Sequence, residues 1–272
     1  MKVTGKYIVF TDLDGTLLNH DDYAYKTVIT TIKQLKDQGI PVILNSSKTL
    51  SELVAWRGKL NLSTPLIAEN GGVVLMTTPQ GEVKHLIGKH YQIICNTLQL
   101  MRQQYGWKFI GFNDWSAQEV KTNTGLSFQE SIMAKERSVT EPILWQDSEE
   151  NLTRFKKKLA EFDLILKKGG RFYHVMAKHD KADAMNFILS TLEHPKQKSI
   201  QTIVLGDGEN DLSMLNAADM AAVLPAASGQ SLQVANAYYS KQNAPHGWVE
   251  AIESILANPS DYQKSLIQKT AS

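Results

Sequence analysis

The chain of 272 residues has a single cysteine, Cys95, so it cannot form an intramolecular disulfide. Lys and Arg number 29 and Asp and Glu 28, which leaves a net charge of +1 and no overall field that favours nucleic acid or a membrane surface. No apolar run reaches the roughly 18–20 residues that span a bilayer, and the N-terminal run is too short for a signal peptide. These absences favour a cytoplasmic protein that binds neither nucleic acid nor membrane, with Cys95 as a buried structural thiol.

The most informative segment follows a short apolar strand near the N-terminus. Ile8, Val9 and Phe10 form a continuous apolar run, which is typical of a parallel strand buried on both faces. Asp12 and Asp14 come next, and residues i and i+2 of an extended segment point the same way. Two carboxylates that emerge together at the end of a strand are costly unless a cation or a proton lies between them. The segment therefore predicts a metal site and a centre of chemistry.

Apolar strands alternate with helical patterns in the first 85 residues and again after His179, which predicts a parallel sheet in an α/β core. From about Gly88 to Ala177 the predicted strands and helices no longer alternate regularly. Gly169-Gly170 in this stretch is typical of a hairpin turn between two strands. That stretch predicts an antiparallel sheet that carries helices. We therefore expect a discontinuous core, residues 1–86 and 178–272, interrupted by an inserted α+β domain, residues 87–177.

Polar side chains follow the predicted core strands or begin the next helix: Asp12, Asp14, Ser46, Lys181, Asp207 and Asp211. Because the carboxyl ends of parallel strands meet at one edge of a sheet, these groups can converge although they are far apart in the chain. The carboxylates of Asp12, Asp207 and Asp211, together with a backbone carbonyl, suit the octahedral oxygen coordination of Mg²⁺. There is no cluster of His or Cys that would favour zinc.

The same set of residues fits phosphoryl transfer. The hydroxyl of Ser46 and the ammonium group of Lys181 can donate to phosphoryl oxygens. An aspartate held against a metal-bound phosphate can act as a nucleophile and form an aspartyl phosphate. Asp14 can then protonate the leaving oxygen and later activate water.

Four segments resemble, in order, the signatures of the haloacid dehalogenase (HAD) superfamily of phosphatases. Asp12-Leu13-Asp14-Gly15-Thr16 resembles the first signature, DxDGT, and Gly206-Asp207-Gly208-Glu209-Asn210-Asp211 resembles the fourth, GDxxND. Ser46 matches the second signature and Lys181 the third. The resemblance implies a Rossmann-like core with a parallel sheet. The insertion between the second and third signatures is the C2 cap arrangement (type C2B), which sugar phosphatases of the superfamily share.

The resemblance also implies a role for each residue. Asp12 would be the nucleophile and a Mg²⁺ ligand, and Asp14 the general acid and base whose carbonyl also binds the metal. Asp207 would be a further ligand, with Asp211 supporting the same metal site. Lys178 is a neighbouring candidate for the third signature, but Lys181 is preferred because it precedes a helix and is followed by a small residue.

Finer features resemble the mannosyl-3-phosphoglycerate phosphatase family within this group. They include Asn45-Ser46-Ser47-Lys48-Thr49, Ala68-Glu69-Asn70-Gly71-Gly72 and Gly169-Gly170-Arg171-Phe172-Tyr173-His174. That family hydrolyses 2-O-mannosyl-3-phosphoglycerate to mannosylglycerate and phosphate, which implies a small phosphorylated sugar-glycerate substrate here. The residues expected to contact it are Ser47, Lys48, Glu69, Asn70, Gly71, Arg137, Arg171 and Asn210.

Some of these positions also have purely structural interpretations. Ser46 can cap the helix that follows it, Glu69-Asn70-Gly71 can be a turn, and His174 is interpreted as a strand residue. Three other functions stay open: a phosphatase of different sugar-phosphate specificity, a phosphotransferase or mutase, and a non-catalytic sugar-phosphate-binding regulator. The last conflicts with Asp12 and Asp14, because a binding module needs no nucleophile.

Overall fold

The computed structural model describes residues 5–169, 171–192, 200–227, 229 and 232–263. The strands are β1 (Tyr7–Thr11), β2 (Val42–Asn45), β3 (Leu66–Ala68), β4 (Val73–Thr78), β5 (Gly81–Leu86), β6 (Phe109–Gly111), β7 (Thr140–Trp145), β8 (Leu164–Lys168), β9 (Tyr173–Ala177), β10 (Gln201–Gly206), β11 (Met220–Val223) and β12 (Tyr238–Tyr239). The helices are α1 (Val28–Asp37), α2 (Leu50–Lys59), α3 (Tyr91–Tyr105), α4 (Ala117–Thr124), α5 (Phe128–Lys135), α6 (Glu149–Ala160), α7 (Lys181–Thr191), α8 (Leu212–Ala217), α9 (His246–Ala257) and α10 (Pro259–Tyr262). Glu69–Gly71 and Glu209–Asp211 form short 3-10 turns.

An eight-stranded sheet forms the centre of the core, in the order β12-β11-β10-β1-β2-β3-β4-β5. From β12 to β3 neighbouring strands pair in parallel. Helices α1, α2 and α9 cover one face of this sheet, and α7 and α8 cover the other. The predicted α/β core with a parallel sheet is therefore confirmed, and the carboxyl ends of β1, β2 and β10 lie side by side.

The predicted alternation of strands and helices is wrong between residues 69 and 86. Instead of a helix, β4 and β5 form a hairpin that extends the sheet with antiparallel pairing. Asn70 and Gly71 have φ angles of 57° and 94°, so the chain reverses within a few residues and Val73 pairs with Ala68. A reversal this tight leaves no length for a crossover helix, which a parallel connection requires.

A second, four-stranded antiparallel sheet has the order β6-β7-β9-β8. Helices α3 and α6 pack on one face around Phe155, and α4 and α5 belong to a separate apolar cluster with Phe112 and Trp115. This is the α+β character predicted for the insertion; Gly170, half of the predicted hairpin turn, lies outside the described residues. We propose residues 87–177 as the inserted domain, because both of its boundaries fall in connections between the two sheets.

Cys95 is buried in α3, with 7% of its surface exposed. Burial raises the pKa of its thiol to about 12, and the nearby Glu141 carboxylate adds to the rise. The prediction that Cys95 is buried is confirmed. In the part of the chain that the structure describes, no helix combines the length and apolar character needed to cross a bilayer.

Candidate active site

The turn after β1 is shaped to bring Asp12 to the carboxyl edge of the sheet. The Asp12 amide donates to Leu205 O on β10 at 3.0 Å, so Asp12 still belongs to the ladder of strand hydrogen bonds. The chain then turns: Gly15 has a φ of 80°, and its amide donates to Leu18 O at 2.9 Å. A Cβ atom at Gly15 would lie 2.7 Å from Asp207 Oδ2, so the two acidic segments can approach only because this residue is glycine.

Lys181 lies at the centre of the site. Its Nζ atom is 2.6 Å from Asp12 Oδ1 and 2.6 Å from Asp211 Oδ1, and its side chain is fully buried. Lys181 is the first residue of α7. The Asp180 side chain caps this helix by accepting hydrogen bonds from the amides of Ala182 and Asp183. Asn45 Nδ2 donates to Lys181 O at 3.0 Å, which ties this helix start to the end of β2. Lys178, the other candidate for the third signature, is exposed to solvent. We therefore assign the third-signature position to Lys181.

The carboxylates of Asp12, Asp207 and Asp211 form one cluster, with an oxygen from each within 4.8 Å of the others. Burial raises the pKa of Asp12 well above its usual range; the neighbouring carboxylates add to the rise and Lys181 opposes it. Burial also raises the pKa of Asp207 to about 7, again with a contribution from Asp211. Buried, crowded carboxylate oxygens of this kind fit a hard divalent cation, which would compensate their charge.

Some carboxylate oxygens of Asp12, Asp207 and Asp211 accept hydrogen bonds from the protein, and others accept none from any described residue. Asp211 Oδ2 accepts from the amides of Asp207 and Gly208, both at 3.0 Å, so each oxygen of Asp211 already has a partner. Thr16 Oγ1 donates to Asp207 Oδ1 at 2.6 Å. Within the described residues, the side-chain hydrogen bonds of Asp12 and Asp207 engage only their Oδ1 atoms. The remaining Oδ2 atoms are the better candidates to bind a cation, and Asp211 holds Lys181 and the loop.

Asp14 is paired with a lysine. Lys48 Nζ lies 2.9 Å from Asp14 Oδ2 and 3.7 Å from Glu52 Oε1, and 5.0 Å from the ring centre of Tyr23. Burial alone would lower the pKa of Lys48, but Asp14 and Glu52 outweigh it and raise the pKa. Asp14 Oδ1 is buried and has no hydrogen-bond partner among the described residues. Lys48 is thus buried and ion-paired, and in the described part of the chain one oxygen of Asp14 has no partner.

Ser46 follows β2 at the same edge of the sheet and is buried. Its Oγ atom accepts a hydrogen bond of 3.3 Å from the Lys48 amide. Helix α2 is capped instead by Thr49, whose side chain accepts from the Glu52 amide while the Glu52 carboxylate accepts from the Thr49 amide. The alternative that Ser46 caps this helix is wrong. Within the described residues the Ser46 hydroxyl accepts but donates no hydrogen bond, so its hydrogen is available to another acceptor.

The Glu69-Asn70-Gly71 segment is a turn, as one interpretation of the sequence predicts, and it also joins the two sheets. The Glu69 carboxylate is fully buried and accepts from the amides of Ser138, Val139 and Thr140 at 2.8–2.9 Å, and from Thr140 Oγ1 at 2.8 Å. Glu69 was expected to contact the substrate, but these four bonds direct its carboxylate to the start of β7. The geometry makes Glu69 an anchor between core and insertion.

The other two residues of this turn lie closer to the acidic loop. Asn70 Oδ1 accepts from Asn210 Nδ2 at 3.4 Å, so two of the expected substrate contacts are adjacent. A Cβ atom at Gly71 would lie 1.9 Å from Asp180 O, which makes Gly71 a close-packing position next to the start of α7. We therefore retain Asn70 and Asn210 as candidate substrate contacts, with Gly71 shaping the site.

Replacing Glu69 by alanine should lower the free energy of unfolding by about 3 kcal/mol or more, because three amides lose their acceptor and those of Val139 and Thr140 stay buried. Urea unfolding followed by circular dichroism measures the change. Glu161→Ala is the matched control: Glu161 is exposed, and among the described residues its side chain pairs only with Lys158. We expect the control to change stability by less than about 0.5 kcal/mol. An equally small change in Glu69→Ala would contradict the anchoring role.

The two arginines expected to bind substrate have different surroundings. Arg137, just after α5, donates from its NH1 group to Ser47 O at 3.0 Å and from Nε to Ala134 O at 2.8 Å. It thus links the insertion to the loop that carries Ser46. Arg171 is exposed and donates to Asn123 O at 2.7 Å, within the insertion. The structure brings Arg137 to the site, and no contact in the described chain connects Arg171 to the carboxylates.

One residue that reaches the site, Lys167, is not indicated by any motif in the sequence. Lys167 on β8 extends its Nζ atom to within 3.4 Å of Asn210 O, in the loop of the fourth signature. The position of this lysine, two residues before a predicted glycine turn, does not predict the contact. The strand direction of β8 and the position of the insertion above the core decide it.

Comparison with known proteins agrees with this geometry. A profile of haloacid dehalogenase-like hydrolases matches residues 9–252. The chain belongs to this family. Two relatives are each 31% identical and are both named glucosyl-3-phosphoglycerate/mannosyl-3-phosphoglycerate phosphatase: one from Methanococcoides burtonii over 266 residues and one from Persephonella marina over 265. Each alignment covers 92% of this chain and 97% of the relative.

Solved structures show the same fold at lower identity. A phosphatase of the HAD superfamily from Bacteroides thetaiotaomicron has a TM-score of 0.68 and 16% identity over 93% of this chain and 95% of its own. A HAD subclass IIB sugar phosphatase has a TM-score of 0.64 and 15% identity over 94% and 99%. The superfamily and the C2-type insertion predicted from the motifs are confirmed, and the protein is a HAD-family phosphatase.

Proposed function

We propose that this protein is a Mg²⁺-dependent phosphatase of glycosyl-3-phosphoglycerates, with the mannosyl ester as the leading substrate and mannosylglycerate and phosphate as products. The observation that carries the phosphatase reaction is the buried Asp12–Lys181–Asp211 arrangement at the sheet edge, joined by Asp207. The names of the two relatives support the substrate class.

In the proposed mechanism the Asp12 carboxylate attacks phosphorus. A bond forms between a carboxylate oxygen and phosphorus, and the bond to the leaving alcohol oxygen breaks. Asp14 donates a proton to that oxygen; we assign the proton to Oδ1, because Oδ2 is paired with Lys48. Water then attacks the aspartyl phosphate while Asp14 accepts its proton, which regenerates Asp12 and releases phosphate.

Other residues bind and orient the phosphate. Ser46 can donate its hydroxyl hydrogen to a phosphoryl oxygen, and the positive charge of Lys181 can stabilise the phosphoryl oxygens. Lys181 also holds Asp12 in place through a hydrogen bond. Asp12 and Asp207 would hold the cation, with Asp14 contributing its carbonyl. When bound, Mg²⁺ supplies positive charge that offsets the crowded carboxylates and the developing charge on phosphate.

Phosphate release from mannosyl- and glucosyl-3-phosphoglycerate should be compared with release from glucose 6-phosphate and mannose 6-phosphate, each with Mg²⁺ present. We expect kcat/KM for the glycosyl-3-phosphoglycerates to be higher by at least about a hundredfold, because a site with placed polar groups rejects esters that leave them unpaired. If the mannosyl and glucosyl esters are no better than glucose 6-phosphate, the substrate assignment fails but the reaction class survives. Phosphate that appears on a sugar hydroxyl instead of in solution would indicate a phosphotransferase.

A further inference from the structure

The four-stranded sheet has one face directed towards the core. Two residues on this face, Lys167 and His174, have side-chain nitrogens and belong to none of the four signatures. Lys167 on β8 and His174 on β9 are directly opposite each other in the antiparallel ladder, so their side chains share one face. The 3.4 Å contact from Lys167 Nζ to Asn210 O shows that this face meets the acidic loop. The Lys167 side chain therefore reaches the loop of the acidic site, and His174 lies beside Lys167 on the same face.

His174 presents a buried polar atom without a partner. The residue is 9% exposed, and its Nδ1 atom forms no hydrogen bond within the described chain. Burial lowers the pKa of His174 to about 3, and the positive charges of Arg137 and Lys167 lower it further. The imidazole is thus neutral at physiological pH, with one ring nitrogen able to donate. A buried ring nitrogen that lacks a partner costs free energy, which a bound ligand can recover.

Arg137 and Lys167 also lack a salt bridge among the described residues. Arg137 donates to the backbone carbonyls of Ser47 and Ala134, which satisfies donors without neutralising its charge. Burial lowers the pKa of Lys167 and Lys181 lowers it further, while Asp180, Asp211 and Asp183 oppose the shift. Neither Arg137 nor Lys167 forms an ion pair with a carboxylate in the described part of the chain, so both can pair with an anionic ligand.

We propose that Lys167 and His174, together with Arg137, bind a carboxylate on the alcohol side of the phosphate ester. The phosphate has its own partners in the core, namely Ser46, Lys181 and the cation site. A second set of anion-binding groups on the facing sheet indicates a second anion in the substrate, separated from phosphorus by a short linker. This inference rests on the proposed function, because a phosphate seated against Asp12 is what directs the alcohol towards the second sheet.

The substrate class that follows is a phosphate ester whose leaving group is itself a carboxylic acid. A neutral sugar leaving group would supply hydroxyls but no negative charge to Lys167 and Arg137. Hydrogen bonds from charged groups to a carboxylate are shorter and stronger than those to a hydroxyl. The face should therefore discriminate by charge rather than by the identity of the sugar.

The test uses two competitors of p-nitrophenyl phosphate hydrolysis that differ at one carbon: 3-phosphoglycerate carries a carboxylate where glycerol 3-phosphate carries a hydroxymethyl group. In the unmodified protein with Mg²⁺, we expect an inhibition constant for 3-phosphoglycerate that is lower by about tenfold or more. Lys167→Met should raise that constant by about tenfold and change the constant for glycerol 3-phosphate by less than about twofold. His174→Phe should act in the same direction.

Lys168→Met is the matched control, because Lys168 is the adjacent residue of β8, is exposed, and removes the same charge. It should leave both constants unchanged. Lys167→Met is the decisive variant if His174→Phe fails to fold, since Lys167 is only partly buried. Equal inhibition by the two competitors in the unmodified protein would overturn the proposal, and so would a Lys167→Met variant that weakens both competitors alike.

The two proposals fail in different ways. If 3-phosphoglycerate is preferred but glycosyl-3-phosphoglycerates are poor substrates, the carboxylate site stands and the proposed function falls. If glycosyl-3-phosphoglycerates are the best substrates but the carboxylate makes no difference to inhibition, the proposed function stands and this site falls.

Discussion

Asp12→Asn should abolish phosphate release, with a fall in kcat of at least about a thousandfold, because an amide oxygen is a poor nucleophile and cannot form the aspartyl phosphate. The substitution preserves the size of the side chain and an oxygen that can accept from Lys181. The loss should therefore be chemical rather than structural. Steady-state phosphate release with saturating Mg²⁺ is the measurement, and retention of most of the Mg²⁺-dependent activity would contradict the nucleophilic role.

The same variant should fold as well as the unmodified protein or slightly better. Asp12 is crowded by the carboxylates of Asp207 and Asp211, and burial raises its pKa further. Removing one negative charge relieves that repulsion, so in the presence of a chelator we expect a gain of up to about 1 kcal/mol in unfolding free energy. Asp21→Asn is the control, because Asp21 is an exposed loop residue after the same strand and should affect neither quantity.

Lys181→Met should lose both activity and stability, in contrast to Asp12→Asn. The ammonium group is fully buried between Asp12 and Asp211 at 2.6 Å from each. Removing it leaves two buried carboxylates without their cation, which should cost about 3 kcal/mol of unfolding free energy. Loss of its charge near the phosphate should lower kcat by about 10²–10³-fold.

Lys178→Met separates this effect from the loss of any lysine in the segment. Lys178 was the competing candidate for the third signature, and it is exposed three residues earlier. We expect the Lys178 variant to keep its stability and its activity. If Lys181→Met and Lys178→Met are equally stable when unfolded in the presence of a chelator, the ion pairs of Lys181 with Asp12 and Asp211 do not hold the site together. Addition of Mg²⁺ should recover part of the stability lost in Lys181→Met, because the cation compensates the same carboxylates.

Most of the fold is predictable from local pattern. The buried runs of β1, β2, β3 and β10 and the periodic helices between them indicate a parallel sheet, and the structure has one. The hairpin β4–β5 is not predictable in this way. The Asn70-Gly71 pair indicates a turn, and both residues have left-handed backbone. The antiparallel pairing of β4 with β3 that follows has no such local signal.

Glu69 shows why the site was predictable only in part. A glutamate in a turn beside an acidic site is a reasonable candidate for substrate contact. Its actual partners, the amides of residues 138–140, are about seventy positions away in the chain. Backbone amides carry no sequence signal, so the pattern of side chains could not indicate this anchor.

The sequence alone predicted which groups meet: the order and spacing of Asp12, Asp14, Ser46, Lys181 and Asp207 indicate an oxygen-rich site for the proposed cation and nucleophile, since parallel strands end at one edge. Only the tertiary structure decided how these groups are paired. It places Lys48 on Asp14, and it sets Lys167 against the acidic loop. Such pairings depend on how the two sheets pack against each other, and side-chain contacts across that packing have no fixed spacing along the chain.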